Sequence, residues 1–191
     1  MAAIPEDGRF YDLLEKLFTE IDQDSIQAEV AALRAAKPKL SREELADHLT
    51  KKAARRVATV GAAAGATGGP LAILAMAPDI FNLVLQQSRL VLSIAFLYDQ
   101  KPHLKQRFKE VLATLAVATG VSAGRMITLK GIERAAAAKI ARKIFGRFLA
   151  RRLPTIAPII GSVAGGTVNW MAMRAVGKVA VEYYRDLPPS L

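Results

Sequence analysis

Apolar residues recur along this chain at steps of three and four, not two. Phe10, Leu13, Leu14, Leu17, Phe18 and Ile21 fall at helical spacing, which predicts an amphipathic helix near the start. Asp24 or Ser25 is placed to cap a second short helix through Ala36, closed by Pro38. "SREE", Ser41 to Glu44, has the spacing of a capping box and predicts a helix running through "KKAARR". Asp79, just after Pro78, reads as the N-cap of an apolar helix ending near Tyr98. Pro102 opens the next, with Leu104, Phe108, Val111, Leu112 and Leu115 inward, and a last helix finishes near "VEYYRD". No stretch shows the sustained alternation of a half-buried strand. The expected fold is all-α: a single compact helical domain with Gly/Ala-rich, Pro-kinked buried helices and an N-terminal helical arm.

Two long runs carry no charge, Val57 to Pro78 with 22 residues and Leu153 to Met173 with 21. Each matches the roughly 20 residues that cross a bilayer. Both are built largely from Ala, Gly, Thr and Ser with internal Pro, not from the Leu, Ile and Phe that supply insertion energy. Arg89 sits near the centre of the apolar helix between them, at an unpaired cost of about 3 kcal/mol on the insertion scale. The pairs Gly61/Gly65 and Gly161/Gly165 give GxxxG spacings that allow close helix packing. The stretch from Gly61 to Pro78 is therefore expected to be a kinked, tightly packed helical connection. It has no Lys for a phosphate loop and no preceding strand for a dinucleotide fold.

Two polar patterns stand out against this background. Asn82, Gln86, Arg89 and Ser93 form one narrow stripe on an otherwise apolar helix, expected to be a buried polar stripe that joins packed helices or faces a ligand. Between Lys130 and Arg152 lie 8 basic residues and one acid. Wound as a helix, this segment gathers Lys139, Arg142, Lys143 and Arg147 on one face, with Arg151 following. Ile140, Ile144, Phe145, Phe148 and Leu149 take the other face, either in the core or against a membrane.

Charge sharpens the second pattern. The formal net charge is +10, yet residues 1–100 hold 11 Lys/Arg against 13 Asp/Glu while residues 101–191 hold 16 against 4. A basic C-terminal half with an acidic arm before Pro38 points to an anionic partner, with the arm competing for the same surface. Cysteine is absent, which excludes disulfides, thiolate chemistry and Cys-ligated metals. "MAAIPEDGRFYD" lacks the pattern of a secretory signal, so a cytoplasmic location is expected.

Candidate catalytic chemistry is thin. His48 and His103 lie among Lys and polar residues, and Glu182 is spaced to pair with Lys178 or Arg185. No paired carboxylates or metal-ligand spacing appear, so no catalytic residue, no metal and no cofactor are expected. Trp170, Met171 and Met173 make either a core patch or a protein-binding one.

"GAAAGATGGPLAILAMAPDIFNLVLQQSRLVLSIAFLYD" resembles the region of EcsC-like proteins in which a small-residue segment leads through Pro-Asp into an apolar helix ending in Tyr. "APIIGSVAGGTVNWMAMRAVGKVAVEYY" is similar to the family's C-terminal Pro, Gly and Asn pattern, which also occurs in the hydrophobic domain appended to some bacterial GTPases. The resemblance spans about residues 50 to 185. It implies a bacterial, helical, membrane-associated protein and supplies no catalytic residues. The expected organisation is an acidic arm over 1–38, an EcsC-like helical domain over 39–186 and a frayed tail over 187–191. The expected function is non-enzymatic: peripheral membrane association or lipid binding, with the basic helix against anionic lipid and an integral arrangement as a variant. Nucleic-acid binding and a protein-interaction role, including a second copy of the chain, are the alternatives. The basic half lacks the interleaved aromatics of single-strand binders.

Overall fold

The structure is a computed structural model. It describes residues 11–12, 15–16, 18–65, 70–100, 104–120, 139–140, 142–143, 146–147 and 158–189, except the side chains of 59–65, 70–81, 104–107, 158–166 and 168. The fold is all-α, with no strand among the described residues. Its helices are α1 (Gln23–Ala36), α2 (Arg42–Gly65), α3 (Pro70–Leu97), α4 (Leu104–Ala118) and α5 (Pro158–Arg185). The described residues between 11 and 19, and between 139 and 147, are helical as well.

Local signals account for most helix ends. Asp22 caps α1 by accepting from the Ser25 N–H at 3.0 Å, ahead of the Asp24 or Ser25 expected from sequence. Either acid suits the position, and Asp22 wins because the helix gains two residues by starting there. At α2 the capping box is complete: the Glu44 carboxylate accepts from the Ser41 N–H at 2.7 Å, and the Glu44 N–H donates to Ser41 Oγ at 3.2 Å. The α3 start departs from expectation. Asp79 is not a cap but lies inside a helix that begins at Pro70. Proline in the first turn forfeits no intrahelical bond. An Asp cap is worth about 1 kcal/mol, less than the backbone bonds added by the earlier start. Likewise α5 begins at Pro158 and takes residues 158–173 of the second charge-free run into the helix.

The α3 end has an unusual residue in a familiar turn. Gln100 N–H donates to Ala95 O and Asp99 N–H to Phe96 O, both at 3.0 Å, the two reverse bonds of a Schellman cap. Asp99 occupies the left-handed position at φ +59°, where glycine is the usual choice. Its carboxylate accepts from Arg34 of α1 at 2.9 Å and from Arg42 of α2 at 2.5 Å, and Arg34 also bonds the Leu97 carbonyl. Three helices are thereby tied at one point.

The helices α2 and α5 run antiparallel and form the most extensive helix pair. Asn169 donates to the Val57 carbonyl at 3.3 Å near one end, and Arg185 bonds Glu43 at 3.4 Å near the other. Between them, Gly177 faces Thr50 so closely that a Cβ there would lie 2.3 Å from Thr50 Oγ1. The small residues Ala46, Thr50 and Ala54 make this approach possible.

One hydrophobic cluster unites all five helices and the N-terminal segment. Tyr11 and Phe18 pack against Phe108 of α4 with ring centroids 5.3 and 5.4 Å apart. Phe18, Ile21, Phe108, Val111, Leu112 and Leu115 are buried as their spacing predicts, and Tyr11 joins them unforeseen. Phe10, Leu13, Leu14, Leu17 and Pro102, and the side chain of Leu104, lie outside the described residues. Tyr11, Phe18, Ile21, Ile26 and Val30, all before Pro38, are therefore part of the core.

Candidate functional site

Ile140 is buried while Lys139, Arg142 and Lys143 are exposed, so the described part of the basic segment is amphipathic with its charges outward. Arg147 is exposed overall, yet its guanidinium donates to the Thr119 carbonyl at 2.8 Å. That carbonyl closes α4, where the helix dipole favours a cation. Gly120 follows at φ +73°, a backbone angle that calls for glycine; a Cβ there would meet the Arg147 Nη1 at 2.9 Å, the movable end of a flexible side chain. Arg147 thus holds the end of α4. Arg151, Ile144, Phe145, Phe148 and Leu149 lie outside the described residues.

The polar stripe on α3 is half-buried, not buried. Gln86 donates to Asn82 along the helix at a long 3.4 Å, and the Ser93 hydroxyl donates to the Arg89 carbonyl at 2.8 Å. Among the described residues none of these side chains hydrogen-bonds across to another helix. Instead Gln86, Arg89 and Ser93 line a cleft closed by Glu29 of α1 and by Lys52 and Arg56 of α2. Lys52 Nζ bonds Glu29 at 2.5 Å. That bond, with the charges of Lys52, Arg56 and Arg89 behind it, holds the Glu29 carboxyl below its ordinary range against a partial desolvation that acts the other way.

One step round the same helix are polar residues that periodicity did not single out. Gln87 is completely buried, and among the described residues neither its amide N nor its O has a hydrogen-bond partner, while Ser88 bonds back to the Val84 carbonyl at 2.9 Å. On α4, Glu110 is buried and its carboxylate accepts from the Tyr184 hydroxyl of α5 at 3.2 Å. A single acid inside a helix of mixed polarity gives no sequence sign of this pairing.

The remaining candidates separate cleanly. His48 is exposed, and His103 lies outside the described residues, as does the side chain of Asp79. Glu182 meets Lys178 at 3.9 Å on the surface, whereas Arg185 turns to Glu43 and Asp186. Met173 is fully buried, but Trp170 and Met171 are 41% and 60% exposed, so the patch divides between core and surface. Arg174 lies over the Trp170 ring at 5.6 Å and bonds Asp47 at 2.5 Å. Among the described residues there is no cluster able to hold a metal ion, and no helix is long and apolar enough to cross a membrane.

These features define an all-α domain with outward-facing basic side chains and a small cationic cleft. No family model, curated protein or solved structure matches the chain.

Proposed function

We propose that this is a non-enzymatic, EcsC-like helical protein that binds anionic membrane lipid peripherally at the cytoplasmic surface. The observation that carries the reading is the polarity of the segment between 139 and 147. Ile140 faces the core while Lys139, Arg142 and Lys143 face outward. In this arrangement Ile140 contributes to folding, and Lys139, Arg142 and Lys143 are the groups that meet lipid. Each basic residue near an anionic surface contributes about 1 kcal/mol. The concentration of cations in the C-terminal half supports the same reading, as does the resemblance of residues 50 to 185 to EcsC-like proteins.

Flotation with phosphatidylcholine vesicles, with and without phosphatidylserine, tests it. Wild type should float only with the anionic vesicles and be released by salt. Lys139→Gln/Arg142→Gln/Lys143→Gln should bind roughly a hundredfold more weakly. Retention through a carbonate wash would point instead to integral association. Binding to duplex DNA with no vesicle binding would replace lipid by nucleic acid as the partner.

A further inference from the structure

The cleft between α1, α2 and α3 holds a cation without a close partner. Arg89 is half-buried, and among the described residues its guanidinium meets no hydrogen-bond acceptor; its attraction to Glu29 acts through space. A guanidinium carries five N–H donors in a rigid fork suited to oxygen anions. Withdrawing it partly from water without an acceptor has a cost that a bound anion would offset. Lys52 bonds Glu29 at 2.5 Å, and Arg56 also lines the cleft. Among the described residues three cations and one carboxylate line the cleft, a net positive charge that draws anions toward it.

Size narrows the class of anion. The cleft has 40 Å³ of water-accessible space, enough for a group equal to roughly three water molecules. That suits one tetrahedral oxyanion. Gln86 supplies an amide donor suited to a phosphate oxygen, and the Ser93 hydroxyl, whose one hydrogen goes to the Arg89 carbonyl, can accept from the O–H of a protonated phosphate. We propose that this cleft is a phosphate-binding site, for free phosphate or the phosphate of a headgroup, with Arg89 as the fork, Arg56 as the second cation and Glu29 as a competing internal anion. The site stands independently of the basic segment at 139–147.

Calorimetric titration of the full chain with inorganic phosphate tests it. Wild type should bind. Arg89→Gln should weaken binding about tenfold or more, as expected for losing charge-assisted bonds. Arg89→Lys, which keeps the charge but not the fork, should fall between them. Glu29→Gln should bind several-fold more tightly by removing the competing carboxylate. Circular dichroism establishes that each variant folds, and if Arg89→Gln does not, Arg89→Lys and Glu29→Gln carry the test. Vesicles of phosphatidylcholine with and without phosphatidic acid separate the sources. Vesicle binding that needs both phosphatidic acid and Arg89 assigns a headgroup, whereas free-phosphate binding without it assigns a soluble ion. Absence of both, or equal binding by wild type and the Arg89 variants, overturns the site. The Lys139→Gln/Arg142→Gln/Lys143→Gln variant should titrate phosphate as wild type does. Its loss of anionic-vesicle binding is the separate check on the proposed function.

Discussion

Gly177 on α5 lies against Thr50 on α2 with no room for a methyl group: a Cβ at 177 would sit 2.3 Å from Thr50 Oγ1 and 2.6 Å from its Cγ2. In an exposed helix interior, Gly→Ala stabilises by roughly 1 kcal/mol. Here the sign should reverse. Gly177→Ala is expected to destabilise by about 1–3 kcal/mol through overpacking, measured by urea unfolding. Adding Thr50→Ala should recover part of the loss, since it removes the two nearest atoms. A stabilising Gly177→Ala would mean that the helices separate without cost.

The knot at Asp99 separates backbone strain from ion pairing. Asp99→Gly keeps the left-handed turn and loses Arg34 and Arg42, while Asp99→Ala loses both arginine contacts and strains the backbone. Alanine should therefore be the less stable by about 1 kcal/mol in denaturant titrations. Equal stabilities would show that the turn relaxes when the arginines let go.

Acid should weaken the α2–α5 seam. Lys51 at 2.7 Å and Arg174 at 2.5 Å hold the Asp47 carboxyl below its ordinary 3.8. A folded value below the unfolded one gives stability that is fully present above the unfolded value and lost as pH falls through the folded one. Glu29, held down by Lys52, and Glu44, held down by its bonds to Ser41, act in the same direction. Asp47→Asn should be less stable than wild type near neutrality, and the two should converge in acid, as followed by thermal unfolding across pH. A difference unchanged down to about pH 2 would rule out the charge as its origin.

Phe108 receives both Tyr11 and Phe18. Phe108→Ala should cost about 3–5 kcal/mol and loosen the segment before Pro38, read as earlier proteolysis there than within α2 and α5. Uniform proteolysis of the chain would show that the segment and the helices unfold as one unit. The same packing bears on whether the acidic arm competes with the basic segment for lipid. Deleting residues 1–37 strips these residues from the core, so neutralising exposed acids such as Asp24 and Glu20 is the cleaner measure of masking.

The sequence by itself determined the fold class, because three- and four-residue spacing is a local property that any neighbour must accept. It also marked ends that depend on adjacent residues, such as the Ser41–Glu44 box and the closure at Pro38. It misplaced the α3 start because a local cap signal at Asp79 competes with helix propagation, whose gain accrues over a longer stretch. The stripe of Asn82, Gln86, Arg89 and Ser93 was legible on its own helix. Its facing residues were not, since Glu29, Lys52 and Arg56 come from helices far away in the chain. Only tertiary packing gave Arg147 to the end of α4, put Met173 inside and left Trp170 outside, and paired Glu110 with Tyr184. A side chain's role is set by what stands opposite it, and periodicity along one helix carries no record of the partner across the interface.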